Sequence, residues 1–190
     1  MSAALAPDGP VPTKCEDGGV IEQLRLPTTL ETRHGQVTIR RAVPEDLDAI
    51  VALIHDDPIS AARGENPGPD DGSAYRRALS QIVEDPRNEL IIAADATDAI
   101  VGTLQLTSIP GLARRGSTRL QVEAVRVAPH TRSLGIGGAM MRWAMTKAAP
   151  AVGATLVQLT SDSARAEAHR FYLGLGFTDS HVGFKYRVTL

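Results

Sequence analysis

The sequence predicts an α+β fold in which a mixed, mostly antiparallel twisted sheet carries helices on both faces. Three observations support this prediction. Alternating apolar and polar residues mark successive strands in the middle of the chain. Helical apolar spacing marks segments before and after these strands. A strand, a glycine-rich turn, a helix and another strand then follow in order, which is typical of a parallel crossover.

The first half of the chain begins with a tail and continues with a strand and two helices. Residues 1–34 mix Ala, Pro, Gly and charge without a period, so we expect a flexible or loosely docked extension before a domain at 35–190. A strand is predicted at 37–42, and Pro44 opens a helix that runs through His55. A second helix is predicted at 74–84, after a loop rich in Gly, Pro and Asp.

Three strands follow, and they are predicted at 89–94, 100–108 and 119–127. The breaker Pro110–Gly111 separates the second from the third, as expected for antiparallel neighbours. The remaining predicted elements are a helix at 136–148 ended by Pro150, a strand at 154–160, a helix at 164–173 and a last strand at 181–188.

Composition limits the kind of protein this can be. The chain has 190 residues, with 43% apolar and 22% charged residues, which is ordinary for one globular domain. A formal net charge of -2 gives no reason to expect a nucleic-acid partner. Cys15 is the single cysteine, so no internal disulfide forms. Without a signal-peptide pattern or an apolar stretch of membrane length, we expect a cytoplasmic protein with no membrane partner.

The segment from Arg132 to Gly138 is a glycine-rich turn that opens a helix. Such a turn lets backbone N–H groups close on a phosphate, and the helix dipole favours negative charge there. A dinucleotide fingerprint needs a third glycine where this chain has Met140, and neither Gly-Lys-Ser nor Gly-Lys-Thr occurs. The turn therefore predicts a phosphate site of another kind.

The residues before the turn identify that kind. The predicted strand ends in Val127 and is followed by Pro129, Arg132, Gly135 and Gly137. This arrangement resembles the acyl-coenzyme A motif of the GNAT N-acetyltransferase superfamily, in which Arg/Gln-x-x-Gly-x-Gly/Ala follows a strand ending in Val-x-Pro. The resemblance implies a GNAT-like sheet, with the parallel crossover at the acyl-coenzyme A site, and acetyl-coenzyme A as the acyl donor.

A second segment, at 168–177, resembles the GNAT pattern Ala-x-x-x-Tyr-x-x-x-Gly-Phe. The resemblance implies that Tyr172 hydrogen-bonds the coenzyme sulfur and protonates the leaving thiolate, as a phenol with a pKa of about 10 can. The same closing segment, through His181, resembles aminoalkylphosphonate N-acetyltransferases. Packing of the ring between helix and sheet is the alternative reading for Tyr172.

Glu123 is the candidate general base. Strand alternation places it on one side with Gln121, Val125 and Val127, and Arg126 on the other. In similar enzymes a glutamate six residues before the motif proline often accepts the proton of the amine, directly or through water. A solvated strand residue or an arginine partner is the alternative.

The resemblance implies a coenzyme-binding set drawn from the strand end, the turn and the later helix. Backbone near the strand end would pair with the pantetheine arm, and the turn would hold the pyrophosphate. The set is Val125, Arg126, Val127, Arg132, Ser133, Leu134, Gly135, Ile136, Gly137, Gly138 and Tyr172.

The acceptor is less defined than the donor. Many family members carry an asparagine seven residues before the tyrosine, where this chain has Arg165, so contacts of that asparagine do not carry over. His169 and Arg170 lie on a helix face that is more often solvated than ligand-binding. Acids in the predicted acceptor region could attract an ammonium group, but none is a firm contact: Asp56, Asp57, Asp70 and Asp71.

The sequence thus predicts acetyl transfer to a primary amine of a small molecule by direct attack in a ternary complex. No metal is expected, because the histidines lack ligand spacing, and Cys15 lies in the tail, which disfavours an acetyl-cysteine route. Two alternatives stay open: a protein lysine or N-terminal acetyltransferase, and a non-catalytic acyl-coenzyme A sensor. Similar proteins often pair through their later strands, so a homodimer is also an expectation.

Overall fold

Six strands form one sheet in which neighbours in the sheet are also neighbours in sequence. The computed structural model describes residues 21–57, 59, 68 and 71–189. All neighbouring strands are antiparallel except β5 and β6, which are parallel. The strands are β1 (Thr28–Thr32), β2 (Gly35–Arg41), β3 (Asn88–Ala94), β4 (Ile100–Ile109), β5 (Thr118–Val127) and β6 (Ala154–Leu159).

Four main helices accompany the sheet, namely α1 (Leu47–His55), α2 (Gly72–Glu84), α3 (Ile136–Trp143) and α4 (Ala166–Gly174). Short 3-10 turns precede β1, α1 and the glycine-rich turn, at Ile21–Gln23, Pro44–Asp46 and Pro129–Thr131. The predicted mixed sheet with helices is confirmed, because the parallel pair is joined by α3 as the crossover helix.

Pro150 does not end the helix that follows the glycine-rich turn, so this part of the prediction is wrong. Beyond α3 the chain continues as a π-helical segment, Ala144–Ala148, and then as Ala149–Ala151. The wider π-helical turn makes room for the proline ring, which in a regular α-helix meets the carbonyl four residues earlier. The helix instead ends before Gly153, whose φ of 67° is left-handed.

Each face of the sheet has its own apolar cluster. The first lies between β3 and the two early helices and consists of Ala42, Ile50, Leu79, Leu90, Ile92 and Ala94. The second lies between the sheet and α3, and its largest fully buried members include Ile21, Ile39, Ile91, Leu104, Leu106, Leu120, Met140 and Met141. Helices on both faces follow from these two clusters, because each face must exclude water.

The predicted boundary at residue 34 is wrong for the part of the extension that the structure describes. β1 pairs with β2 from Thr28 opposite Ile39 to Thr32 opposite Gly35, so it is an edge strand of the sheet. Ile21 is fully buried and Leu24 nearly so. Residues 21–34 therefore belong to the folded unit, while residues 1–20, including Cys15, lie outside the described residues.

The last predicted strand, at 181–188, is also not formed. The segment after α4 pairs with no strand among the described residues, and its alternating apolar side chains Val182, Phe184, Tyr186 and Val188 are exposed. Alternation indicates that a segment is suited to a sheet, but a strand also needs a hydrogen-bonded neighbour. The prediction of a strand at 181–188 was wrong because the alternation says nothing about whether a neighbouring strand is available.

A largely buried ion pair fixes the start of α1. Arg40 donates two hydrogen bonds to Asp46, at 2.6 and 2.8 Å, and the Val43 N–H donates a third, at 2.8 Å. The bonds from Arg40 hold the pKa of Asp46 below its ordinary value, against burial, which acts in the opposite direction. The carboxylate thus ties β2 to the turn that begins the helix.

Replacement of this carboxylate is expected to destabilise the fold. Asp46→Asn should lower the free energy of unfolding at pH 7 by about 2 kcal/mol, because it leaves a partly buried Arg40 without its charge partner. Since the folded pKa of Asp46 is lowered, the stabilisation exists above the unfolded pKa of about 3.9 and disappears as the pH falls below it. Urea unfolding of wild type and variant across this range measures the difference.

The control for this experiment is Asp48→Asn, which changes an exposed acid on the same helix. It should cost less than about 1 kcal/mol, the size of a helix-dipole effect. Equal losses in the two variants, or an Asp46→Asn loss that does not shrink in acid, would contradict the assigned role of the Arg40 pair.

Candidate active site

The glycine-rich turn is held by backbone geometry that favours glycine. Gly135 has a φ of 91°, and a Cβ built on it would lie 3.0 Å from Arg33 Cγ and 3.1 Å from Arg33 N. The Arg33 N–H donates to the Leu134 carbonyl at 3.0 Å, which joins the turn to the β1–β2 hairpin. Ser133 is also left-handed, with a φ of 68°. Any larger residue at position 135 would meet both strain and a clash.

The turn presents the N-terminus of α3. The Ala139 N–H donates to the Gly135 carbonyl at 2.9 Å, which makes it the first bond of the helix. The N–H groups of Ile136, Gly137 and Gly138 precede this bond, so they have no acceptor within the helix. Three donors at the positive end of a helix dipole form a site suited to a phosphate.

Gly137 shows what lies in front of this helix end. A Cβ at this position would lie 3.3 Å from Val127 Cγ2 and 3.6 Å from Phe171 Cζ. The start of α3, the end of β5 and the helix α4 therefore meet at one point. Absence of a side chain at Gly137 lets these three elements approach one another closely.

The strands β5 and β6 separate at the same place. Their last parallel pair is Val122 with Leu159, whereas β5 continues to Val127 and stays paired with β4 on its other side. Residues 123–127 thus have a backbone edge that β6 does not cover. An extended ligand can hydrogen-bond along such an edge, as an additional strand would.

A β-bulge changes the side to which the Glu123 side chain points. Ala124 has a left-handed φ of 51°, and the register with β4 shifts between Gln105, opposite Glu123, and Thr103, opposite Arg126. Thr103 and Gln105 are two residues apart, so their side chains point to the same face of the sheet. Their partners Arg126 and Glu123 therefore also point to one face, the face that packs against α1. The residues that pack instead with the cluster beneath α3 are Leu120, Val122, Val125 and Val127.

The alternation predicted from the sequence is therefore wrong beyond Glu123. Simple alternation placed Glu123 on the same side of the strand as Val125 and Val127, with Arg126 on the other side. The extra residue of the bulge exchanges the two sides, so Arg126 lies with Glu123 and the two valines do not. Glu123 itself is exposed, on the side of the sheet that α1 covers further along. The bulge brings a carboxylate and a guanidinium to the same side of the strand.

Tyr172 lies on α4 within a small aromatic group. Its ring meets Phe171 and Phe177 edge-on, at centroid distances of 5.1 and 5.9 Å. Burial raises the pKa of the Tyr172 hydroxyl, and the positive charges of Arg126 and Arg165 oppose this effect. The hydroxyl is therefore protonated at neutral pH and can donate a proton.

Arginines surround the aspartates that follow α1. Asp57 is paired with Arg165, and its Oδ2 also lies 3.5 Å from Arg126 Nη2. Asp56 lies 3.4 Å from Arg132 Nη2, the arginine of the glycine-rich turn. Both aspartates thus face guanidinium groups, which differs from the expectation that they attract an ammonium group. Asp70 lies outside the described residues.

The sequence patterns assign no role to Arg165 or to the side chain of Arg126. One signal was present, because Arg165 stands seven residues before Tyr172, at the position where many family members carry an asparagine. The position of Asp57 had no such signal, since it depends on the packing of α1 against β5. The site therefore includes a guanidinium cluster beside the predicted catalytic tyrosine.

The residues that the structure describes form neither a metal-binding cluster nor a membrane-spanning helix. No group of three or more His, Cys, Asp or Glu side chains in this part of the chain is arranged to hold a metal ion. None of its helices is both long and apolar enough to cross a membrane.

Comparison with known proteins identifies the family. The model of the acetyltransferase (GNAT) family matches residues 51–177. The chain is 30% identical to an aminoalkylphosphonate N-acetyltransferase of Salmonella typhimurium over 146 residues, which cover 77% of this chain and 88% of that protein.

Solved structures agree with this result. A protein of Bacillus halodurans described as a transcriptional regulator is 39% identical, with a TM-score of 0.72 over 80% of this chain and 99% of that one. An aminoglycoside 6'-N-acetyltransferase of Acinetobacter baumannii, 15% identical, shares the fold with a TM-score of 0.62 over 81% of this chain and 99% of that one. The chain belongs to the GNAT acetyltransferase family and is an N-acetyltransferase.

Proposed function

We propose that the protein transfers an acetyl group from acetyl-coenzyme A to the primary amine of a small molecule, by direct attack in a ternary complex. The meeting of the α3 N-terminus, the uncovered end of β5 and the helix of Tyr172 around Gly137 carries this proposal. A phosphate site, an extended backbone edge and a proton donor are the three features that a thioester of coenzyme A requires there.

The residues proposed to bind the coenzyme are arranged in the order of the coenzyme's own chemical groups, from the pyrophosphate to the pantetheine arm. The N–H groups at the start of α3 bind the pyrophosphate, and Arg132, whose side chain is half-exposed beside Asp56, adds charge. The backbone of Val125, Arg126 and Val127 pairs with the pantetheine arm. The turn residues that complete the set are Ser133, Leu134, Gly135, Ile136, Gly137 and Gly138.

Two side chains handle the protons. An alkyl ammonium has a pKa of about 10, so Glu123 accepts its proton, directly or through water, before the nitrogen attacks the thioester carbonyl. The C–N bond forms as the C–S bond breaks, and Tyr172 donates a proton to the thiolate. The acylated nitrogen releases its second proton through solvent, and this proton restores the Tyr172 phenol. A thiol has a pKa of about 8.5, so proton transfer from a phenol is mildly uphill and is completed by exchange with solvent.

The small size of the acceptor is supported by similarity to the Salmonella protein, whose name specifies an aminoalkylphosphonate. The Bacillus protein's description as a regulator keeps a second candidate, a coenzyme-binding sensor, worth testing. Thiol release from acetyl-coenzyme A should be measured with polyamines, aminoalkylphosphonates, aminoglycosides, amino acids and peptides. Turnover with a small amine supports the proposal, preference for peptides favours protein acetylation, and coenzyme binding without turnover favours the sensor.

Glu123→Gln tests the proposed base. Loss of the carboxylate should lower kcat/KM by about 100-fold or more, because general-base catalysis contributes factors of this size. Glu31→Gln, which changes another exposed strand glutamate, is the matched control and should retain full activity. A Glu123→Gln enzyme with the wild-type rate between pH 6 and 9 would remove Glu123 from the mechanism.

A further inference from the structure

Three elements bring a carboxylate and two guanidinium groups together beside Tyr172. Asp57 follows α1, Arg126 lies on β5 and Arg165 immediately precedes α4. Asp57 pairs with Arg165 and more distantly with Arg126, and its side chain is only 6% exposed. The two arginine side chains keep 23% and 20% exposure, so they reach the edge of the site.

The charge and the hydrogen-bond donors of Arg126 are only partly satisfied in this arrangement. Its Nη1 donates to the Val125 carbonyl at 2.9 Å, and Asp57 is 3.5 Å from its Nη2. Its Nε is buried and has no hydrogen-bond partner among the described residues. Burial lowers the pKa of Arg126, and the neighbouring Arg165 lowers it further, against the effect of Asp57. A buried guanidinium of this kind gains from an additional anion.

Tyr172 locates the cluster relative to the chemistry. Arg165 immediately precedes the helix that carries Tyr172, which we propose as proton donor, and the charges of both guanidinium groups lower the pKa of its hydroxyl against burial. Arg126 also shares the α1 side of β5 with Glu123, the proposed base, because of the bulge at Ala124. Arg132 of the glycine-rich turn pairs with Asp56, whereas Arg126 and Arg165 share Asp57. The cluster is therefore placed for the acceptor.

We infer that Arg126 and Arg165 bind an anionic group of the acceptor, so that the substrate is a small primary amine carrying a phosphonate or phosphate. Arginine presents a rigid fork of donors that matches the oxygens of such a group, and two arginines suit a doubly charged one. Arg165 and Arg126 are then specificity-determining residues. This inference rests on the proposed function, whose acceptor site it completes.

The test compares acceptors that differ mainly in charge. Wild-type kcat/KM should be at least tenfold higher for 2-aminoethylphosphonate and O-phosphoethanolamine than for ethanolamine, with β-alanine between them. Arg165→Met should reduce this preference by about 10- to 100-fold, mostly through KM, because it removes charge-assisted hydrogen bonds. Arg165→Lys should restore part of it. Arg170→Met, an exposed arginine on the same helix, should leave it unchanged.

Methylphosphonate provides a readout that does not need a folded variant. It should inhibit the wild-type enzyme competitively against the amine and not against acetyl-coenzyme A. Equal kcat/KM for phosphonate and ethanolamine, an unchanged preference in Arg165→Met, or no such inhibition would overturn the inference while leaving amine acetylation intact. If no amine is acetylated, the proposed function fails, and methylphosphonate binding by calorimetry, lost in Arg165→Met, still decides the anion site.

Discussion

Gly137→Val is expected to raise the Kd for acetyl-coenzyme A by at least about 100-fold, which is close to 3 kcal/mol of binding energy. A Cβ at position 137 would already lie 3.3 Å from Val127 Cγ2 and 3.6 Å from Phe171 Cζ. The larger valine side chain would therefore push against both residues. It would also shield the N–H groups at the start of α3. Isothermal titration calorimetry with acetyl-coenzyme A measures the effect, and thermal unfolding shows that the domain remains folded.

Gly174→Val is the matched control for this variant. Gly174 ends α4, and a Cβ there would meet nothing within 4 Å. Coenzyme affinity should stay within about threefold of wild type, a difference below 1 kcal/mol. Wild-type affinity in a folded Gly137→Val protein would remove the glycine-rich turn from the coenzyme site.

Tyr172→Phe is expected to reduce kcat by about 100-fold or more while leaving the Kd for acetyl-coenzyme A nearly unchanged. The change removes only the hydroxyl, so packing against Phe171 and Phe177 persists and the proton donor is lost. Since burial raises the pKa of Tyr172 above the ordinary tyrosine value, the wild-type enzyme should keep its donor protonated further into the alkaline range than a free tyrosine would. Steady-state rates from pH 6 to 10.5 measure the fall in kcat and its dependence on pH, and calorimetry measures the Kd for acetyl-coenzyme A.

Tyr186→Phe serves as the control, because this tyrosine is exposed in the segment after α4. It should retain the wild-type kcat. A Tyr172→Phe enzyme that keeps its rate and its pH profile would leave Tyr172 with the packing role that its aromatic neighbours alone provide.

The elements with strong local patterns were predictable from the sequence. The strands β2 to β6 and the crossover through α3 lie within a few residues of their predicted positions, because alternation and helical spacing of apolar residues reflect burial directly. The glycine-rich turn was also identifiable, since its conformation requires glycine at position 135.

Features that depend on distant partners were not predictable. The strand β1 is a local exception, since it pairs with β2 across a tight hairpin and was missed because Leu30 is its single apolar residue. The segment at 181–188 stays unpaired despite its alternation. The bulge at Ala124 inserts one residue into the register and thereby turns Arg126 to the side of Glu123. The joining of Asp57 with Arg165, more than 100 residues later in the chain, depends on the packed fold and has no local signature.

The most direct test of direct acetyl transfer is an initial-rate study in which acetyl-coenzyme A and 2-aminoethylphosphonate are varied together. Direct attack predicts thiol release that depends on both substrates, intersecting double-reciprocal lines and one acetylated amine for each thiol released. Parallel lines would indicate an acetylated enzyme intermediate, and thiol release independent of any amine would show that no acceptor is used. Either of these results would contradict direct attack in a ternary complex.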